Sequence, residues 1–190
     1  SRVAGLMHNR ERSELLLSPL QSGDEVAVVA ASSALDNTEN LLRGISILSS
    51  WGLRIRPDVI SRRRWGYLAG RDDERRGDFQ SVPHAPLLAC ARGGWGAARL
   101  LEQPFAWQPG WLLGFSDVTA LLCARMAAGV SGGVHGPLIT TLADEPEWSQ
   151  RRLHDLLFGH PLLDLQGVPW RAGVAVGPLL TLNLTVASHL

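Results

Sequence analysis

The stretch Trp111-Leu112-Leu113-Gly114-Phe115-Ser116-Asp117-Val118-Thr119 constrains this chain more than any other. Three apolar residues run into a glycine, and an amphipathic pattern begins directly after the serine. That order predicts a buried strand turning sharply into a helix, with Ser116 at the bend. Two readings of the bend are open. A serine on such a turn, with a glycine two residues earlier to relieve crowding, has the mechanics of a nucleophile elbow, although Val118 stands where the elbow's second glycine would be. The same residues also make a plain helix cap, with Asp117 meeting the positive end of the helix dipole. Taken alone, the local pattern is more simply a cap, and the rest of the chain has to decide.

Other apolar runs place that turn in a larger pattern. Residues 25–30 (Glu-Val-Ala-Val-Val-Ala) suit a central strand covered on both faces. Small residues follow, then Asp36 as an expected helix cap, then Leu41, Leu42, Ile45 and Leu48 at helical spacing up to Gly52. Leu53-Arg54-Ile55-Arg56 alternates as a second strand, closed by Pro57. Strand, helix and strand within roughly 30 residues is a parallel βαβ unit. Residues 86–91 form a third apolar run, followed by Arg92-Gly93-Gly94-Trp95-Gly96 and a short helix over residues 97–102. The Ser116 turn and a helix over 118–128 come next, then a short segment at Val134-His135-Gly136-Pro137. This alternation predicts an α/β fold: a doubly wound, mostly parallel sheet with helices on both faces. Functional groups in such a sheet lie at the carboxyl ends of its strands, here residues 31–33, 92–96 and 115–117.

Composition sets the outer limits. Over 190 residues, 45% hydrophobic and 19% charged content is that of a globular chain with a sizeable core. Eighteen basic residues balance 18 acidic ones, so no global field draws nucleic acid or anionic lipid. The expected partner set therefore contains no nucleic acid and no membrane. Cys90 and Cys123 each lie in an apolar run, outside any metal or redox spacing, and are expected as buried thiols in a reducing compartment. No run approaches the ~20 apolar residues of a membrane span. Residues 61–77 are the most charged, but their signs alternate, which predicts a solvated loop and helix. Between those charges, Trp65-Gly66-Tyr67-Leu68-Ala69-Gly70 fits a packed lid-like loop and a surface turn equally well.

The ends differ from the middle. Residues 1–22 are polar and irregular and are expected to form an extension outside the domain, which then runs over 23–145. Residues 147–158 have the period of one amphipathic helix within a linker over 146–170. Residues 171–190 read as the start of an incomplete second domain, finishing in an apolar helix over 182–190.

The glycines at 93, 94 and 96 let backbone amides converge on a phosphate or an oxyanion. A dinucleotide fingerprint would need a glycine where Arg99 stands, with Asp117 in place of its ribose acid. A tight turn for close packing explains the glycines as well. Beside Ser116 the loop gains meaning. A serine attacking a carbonyl needs two donors for its oxyanion: the Asp117 amide is one candidate and a loop amide the other.

Five motifs in order carry a family likeness: residues 30–33 (Ala-Ala-Ser-Ser), 66–70, 89–96 (Ala-Cys-Ala-Arg-Gly-Gly-Trp-Gly), 114–121 (Gly-Phe-Ser-Asp-Val-Thr-Ala-Leu) and His135-Gly136-Pro137. Over about residues 23–190 the chain resembles the serine L,D-carboxypeptidase family, which includes muramoyl-tetrapeptide carboxypeptidases and microcin-immunity proteins. The resemblance implies a cytoplasmic, metal-independent hydrolase without cofactor, commonly a homodimer, removing a terminal D-alanine from cell-wall peptides. It implies Ser116 as nucleophile and the Asp117 and Gly94 amides as oxyanion donors. Arg92, Gly93, Trp95, Ser32 and Ser33 are the implied contacts to a small peptide substrate. The triad's glutamate and histidine are expected beyond Leu190, so the 190-residue chain alone is expected to be inactive or nearly so. Ala31 replaces a usual proline, and Thr181-Leu182-Asn183-Leu184 only loosely matches the usual Gly-Gly-Asn-Leu. None of the six histidines offers a substitute base, His135 being most simply structural or pocket-lining. The rival function is a non-catalytic module that binds a peptide or nucleotide in the same cleft.

Overall fold

The computed structural model describes residues 17–56 and 60–190. The expected closure of the second strand at Pro57 and the first 16 residues of the extension lie outside them. Five strands form one sheet: β1 (Glu25–Val29), β2 (Arg54–Ile55), β3 (Leu87–Cys90), β4 (Trp111–Gly114) and β5 (Gly133–His135). Their order is β2-β1-β3-β4-β5, and every pairing is parallel. The chain moves outward from β1 to β2, then returns to place β3 on the other side of β1. The sheet therefore has its topological switch point between β1 and β3, where an open α/β sheet leaves a crevice at its carboxyl edge.

Side-chain alternation divides the core in two. Val26, Leu87, Ala89 and Leu113 meet one apolar layer, and Ala27, Val29, Leu88, Cys90 and Leu112 meet the other. Helices α1 (Glu39–Ser50), α4 (Ile139–Leu142) and α5 (Glu147–Leu157) cover the first face through Leu41, Leu48, Ile139, Leu153 and Leu157. Helices α2 (Asp72–Gln80) and α3 (Thr119–Ala127) cover the second through Phe79, Leu121 and Leu122. The sheet is thus wound on both sides, as the near-continuous apolar strands require. Gly44 permits the closest of these approaches: a Cβ there would fall 1.9 Å from the Ile139 carbonyl oxygen.

Several local expectations are corrected. Asp36 does not cap α1; it pairs with Arg92 at 2.9 Å, and the Asn37 side-chain oxygen Oδ1 accepts the Glu39 amide instead. Leu42 keeps the helical period but faces solvent. Residues 17–22 are not detached from the sheet. Leu20 is buried, its amide donates to the Leu157 oxygen at 2.8 Å, and the Trp111 indole donates to the Ser18 oxygen at 3.0 Å. Helix α5, placed in a linker by the sequence pattern, contributes Leu153 and Leu157 to the core beside Leu20.

The charged stretch is not simply solvated. Arg63 binds both carboxylate oxygens of Asp78 at 2.9 and 2.6 Å, and Asp78 also accepts the Ala30 amide at 3.0 Å. Arg75 is fully buried. These opposite charges satisfy each other and the backbone inside the fold, which composition cannot distinguish from a hydrated surface. Cys90 is buried and desolvation pushes its thiol far up, whereas Cys123 is only half-buried. Beyond α5, residues 160–183 form no regular element, and the apolar helix expected over 182–190 shortens to α6 (Leu184–Ala187). Among the described residues, no helix is long and apolar enough to cross a membrane.

Candidate active site

Strand β4 ends at Gly114, and the chain bends through Phe115 into a single 3₁₀ turn, Ser116–Val118, before α3 begins. Gly114 is needed there: a Cβ would sit 2.8 Å from the Val118 side chain. Ser116 has φ +60°, and it is the one non-glycine residue with positive φ among the described residues. A left-handed serine costs roughly 1–2 kcal/mol against the right-handed alternative. A residue serving only as a cap would sit in ordinary extended backbone. The fold therefore holds Ser116 against a local preference, the arrangement that exposes a hydroxyl above the edge of a sheet.

The hydroxyl faces the glycine loop after β3. A Cβ placed on Gly93 would come 3.3 Å from the Ser116 Cβ and 3.5 Å from its Oγ. Gly94 has φ +112°, and a Cβ there would overlap the Ser33 Oγ at 2.2 Å. Positions 93 and 94 thus have no room for side chains, while Trp95 of the same loop reaches the cleft. Ser116, Asp117, Gly94 and Trp95 all line one cleft of about 550 Å³, with Tyr67 and Arg99 on its near wall and Val186 and His189 on its far wall.

Polar contacts from separate elements hold this edge together. The Asp117 carboxylate is buried; its Oδ2 accepts the Ser32 hydroxyl at 2.7 Å and the Ala97 amide at 2.9 Å. One carboxylate oxygen thereby joins the end of β1, the glycine loop and the turn after β4. The Ser33 Oγ accepts the Trp95 amide at 3.2 Å, and the Ser33 amide donates to the Gly93 oxygen at 3.3 Å. Arg92 donates to the Ala34 carbonyl and pairs with Asp36, so its guanidinium runs along the wall and not into the cleft. Of the implied substrate contacts, then, the structure brings Trp95 to the cleft surface, 73% exposed. Ser32, Ser33 and Arg92 instead brace the loop behind it.

Arg75 is the bracing residue that charge patterning concealed. From within α2 its guanidinium donates to the Ala31 oxygen at 2.5 Å, to the Gly96 oxygen at 3.0 Å and to Asp72 at 2.6 Å. It spans the ends of β1 and of the glycine loop, the two sides of the switch point. Arg99 clamps the same Asp72, and the Arg99 and Arg75 guanidinium groups hold that carboxyl below its usual range. No sequence signal separates Arg75 from its charged neighbours except its place three residues after Asp72. The loop over 65–70 resolves into both of its readings. Leu68 bridges back to Ser33 and to Trp65, and Leu68 and Ala69 are buried, while Tyr67 stands exposed at the cleft mouth.

His135 does not face Ser116. It lies on β5, edge-on to Phe115, and lines a separate hollow of about 180 Å³ beside Cys123 and Arg125. Burial depresses its pKa, and its Nε2 is buried without a hydrogen-bond partner among the described residues. The far wall of the cleft is lightly held. The Asn183 amide donates to the Thr119 hydroxyl at 3.1 Å, and the Asn183 side chain caps the Val186 amide at 3.1 Å.

Fold and site together define an α/β domain with a strained serine turn beside a glycine-rich loop, both at the carboxyl edge of a parallel sheet. Residues 26–136, more than half of the chain, match the family described as the LD-carboxypeptidase N-terminal domain, and the chain belongs to it. A Synechocystis sp. protein named as a carboxypeptidase is 44% identical over 177 residues, covering 90% of this chain and 58% of its own length. A Bacillus subtilis protein named as a murein peptide carboxypeptidase is 30% identical over 129 residues, 64% of this chain and 40% of its own. The microcin C7 self-immunity protein, solved with aspartyl sulfamoyl adenosine, shares the fold with a TM-score of 0.67 at 21% identity, over 75% of this chain and 46% of its own. The chain spans about half the length of the curated relatives it matches.

Proposed function

We propose that the protein is a serine-type L,D-carboxypeptidase that removes a terminal D-alanine from muropeptides in the cytoplasm, as a homodimer, without metal or cofactor in the reaction. The observation that carries the serine role is the left-handed Ser116 turn packed against Gly93, with Gly94 lining the same cleft. The substrate class is supported by the murein peptide name of the Bacillus relative. In this reading the Ser116 Oγ attacks the carbonyl carbon of the scissile amide. The amides of Asp117 and Gly94 receive the oxyanion, an interaction that strengthens as negative charge develops. A histidine supplied by the region following Leu190, oriented by a glutamate, takes the serine proton and returns it to the departing D-alanine nitrogen. Water, deprotonated by the same histidine, then releases the acyl group and restores Ser116.

The test is D-alanine release from a muramoyl tetrapeptide by the complete gene product. Turnover that vanishes in Ser116→Ala supports the assignment; unchanged turnover refutes it. The chain of residues 1–190 by itself should release almost none. Calorimetry separates the rival binding module, which would bind nucleotide or peptide tightly while hydrolysing no D-amino-acid peptide.

A further inference from the structure

A cluster of titratable side chains at the end of α5 lies outside the Ser116 cleft. His154 and Asp155 lie in the last turn of α5, and His160 follows it by three residues. The Nδ1 atoms of both histidines point at the same oxygen, Asp155 Oδ1, each at 3.1 Å. All three candidate ligand atoms lie within 4.8 Å of one another. From these contacts we propose that His154, Asp155 and His160 form a structural binding site for a divalent zinc-class cation, independent of the reading of Ser116.

The two nitrogen-to-oxygen separations suit a small tetrahedral ion. Tetrahedral zinc with bonds of about 2.0–2.1 Å sets neighbouring ligand atoms about 3.3 Å apart. Both nitrogen-to-oxygen separations here are within a few tenths of an ångström of that value. Two imidazoles and one carboxylate are also the donor types that borderline ions select. The protein fixes the first ligand in advance. The His154 ring stacks on Phe158 with centroids 4.4 Å apart, and meets Trp51 edge-on at 5.4 Å. The backbone fixes the last: the His160 amide donates to the Asp155 carbonyl at 2.8 Å.

On binding, the Nδ1 lone pairs of both imidazoles join the carboxylate on the cation, and each ring carries its proton on Nε2. Water completes the fourth position, because the cluster is partly exposed. Two arginines share the adjoining hollow, and both are engaged elsewhere. Arg151 pairs with Glu147 at 2.7 Å, and Arg152 donates to the Leu163 carbonyl at 2.5 Å. The ion would tie the end of α5 to the residue after Gly159, where Pro19 packs and the Leu20 amide reaches Leu157. It would therefore fasten the seam that binds residues 17–22 to the sheet.

The experiment is calorimetric titration of zinc chloride into the chelator-stripped chain, with thermal melts at each ratio. One equivalent should bind and raise the melting midpoint by mass action. His160→Ala, at a half-exposed position, should weaken binding by at least the 10–100-fold typical of lost supporting contacts around a metal. Asp155→Asn, which preserves size, should do the same. Absence of binding, or equal affinity in both variants with the ion held by Cys123 or another histidine, would overturn the proposal.

Discussion

The two walls of the Ser116 cleft are built to different standards. The wall made by residues 92–97 and 114–118 is fitted to within a few ångströms, with strand ends, buried Asp117 and buried Arg75 each fixing several neighbours. The wall made by residues 183–190 is held by the Asn183 amide bond to Thr119 and by Val186 against the second core layer, and follows a long exposed stretch in which Trp170, Val174 and Val176 are open to solvent. In physical terms, the groups assigned to bond-breaking are preorganised by the sheet, whereas the groups that would select a substrate are not. Catalytic donors have to be held in place before charge develops; a selecting wall does not.

The largest expected effects come from the rigid wall. Ser116→Ala in the complete gene product should lower turnover by on the order of 10⁶, as removal of a triad nucleophile does. Ser116→Gly should abolish turnover as well, yet stabilise the fold by about 1 kcal/mol by removing the left-handed strain. Denaturant melts of the two variants separate strain from chemistry. Gly94→Ala comes next. Its Cβ would strike the Ser33 Oγ in a backbone region that alanine avoids, and displacement of the loop amide should lower kcat by roughly 10²–10³.

Smaller effects follow in the bracing contacts. Ser32→Ala removes one of the two donors to the buried Asp117 Oδ2 and should cost about 1–3 kcal/mol of stability, read by urea titration. His135 gives a pH signature. Burial depresses its folded pKa, so the unfolded chain takes up its proton first as pH falls. Its contribution is therefore intact above the ordinary histidine value, about 6.5, and is lost as pH drops through the folded value. Replacement by Gln should flatten that part of the stability profile. The exposed stretch leading to the loose wall should give the least: Trp170→Ala, at a fully exposed site, should stay within about 0.5 kcal/mol of the parent. A larger loss there would erase the distinction between the walls.

The sequence made visible whatever depends on neighbours along the chain. Strands β1, β3 and β4 stand out as apolar runs because both of their faces are covered, and α1 and α5 through their helical period. The Ser116 bend is legible because a glycine, a serine and a helix start must occur within a few residues for such a turn. What stayed hidden are polar contacts across long sequence separations. Ser32 meets Asp117 over 85 residues, and Arg75 meets Ala31 over 44. Composition treats a paired charge and a hydrated one alike, so the buried Arg75 and the Arg63–Asp78 pair disappeared into an apparently solvated run. The boundary errors have the same source: residues 17–22 and α5 join the core through Leu20 and Leu157, a contact that links the two ends of the domain.

The central claim is that the Ser116 oxygen is a reactive nucleophile and not a cap. Incubating the complete gene product with a serine-directed fluorophosphonate, followed by peptide mapping by mass spectrometry, tests it directly. The account predicts a single adduct on Ser116, lost in Ser116→Ala and slowed in Gly94→Ala. An unmodified Ser116, or an adduct on some other side chain, would contradict it.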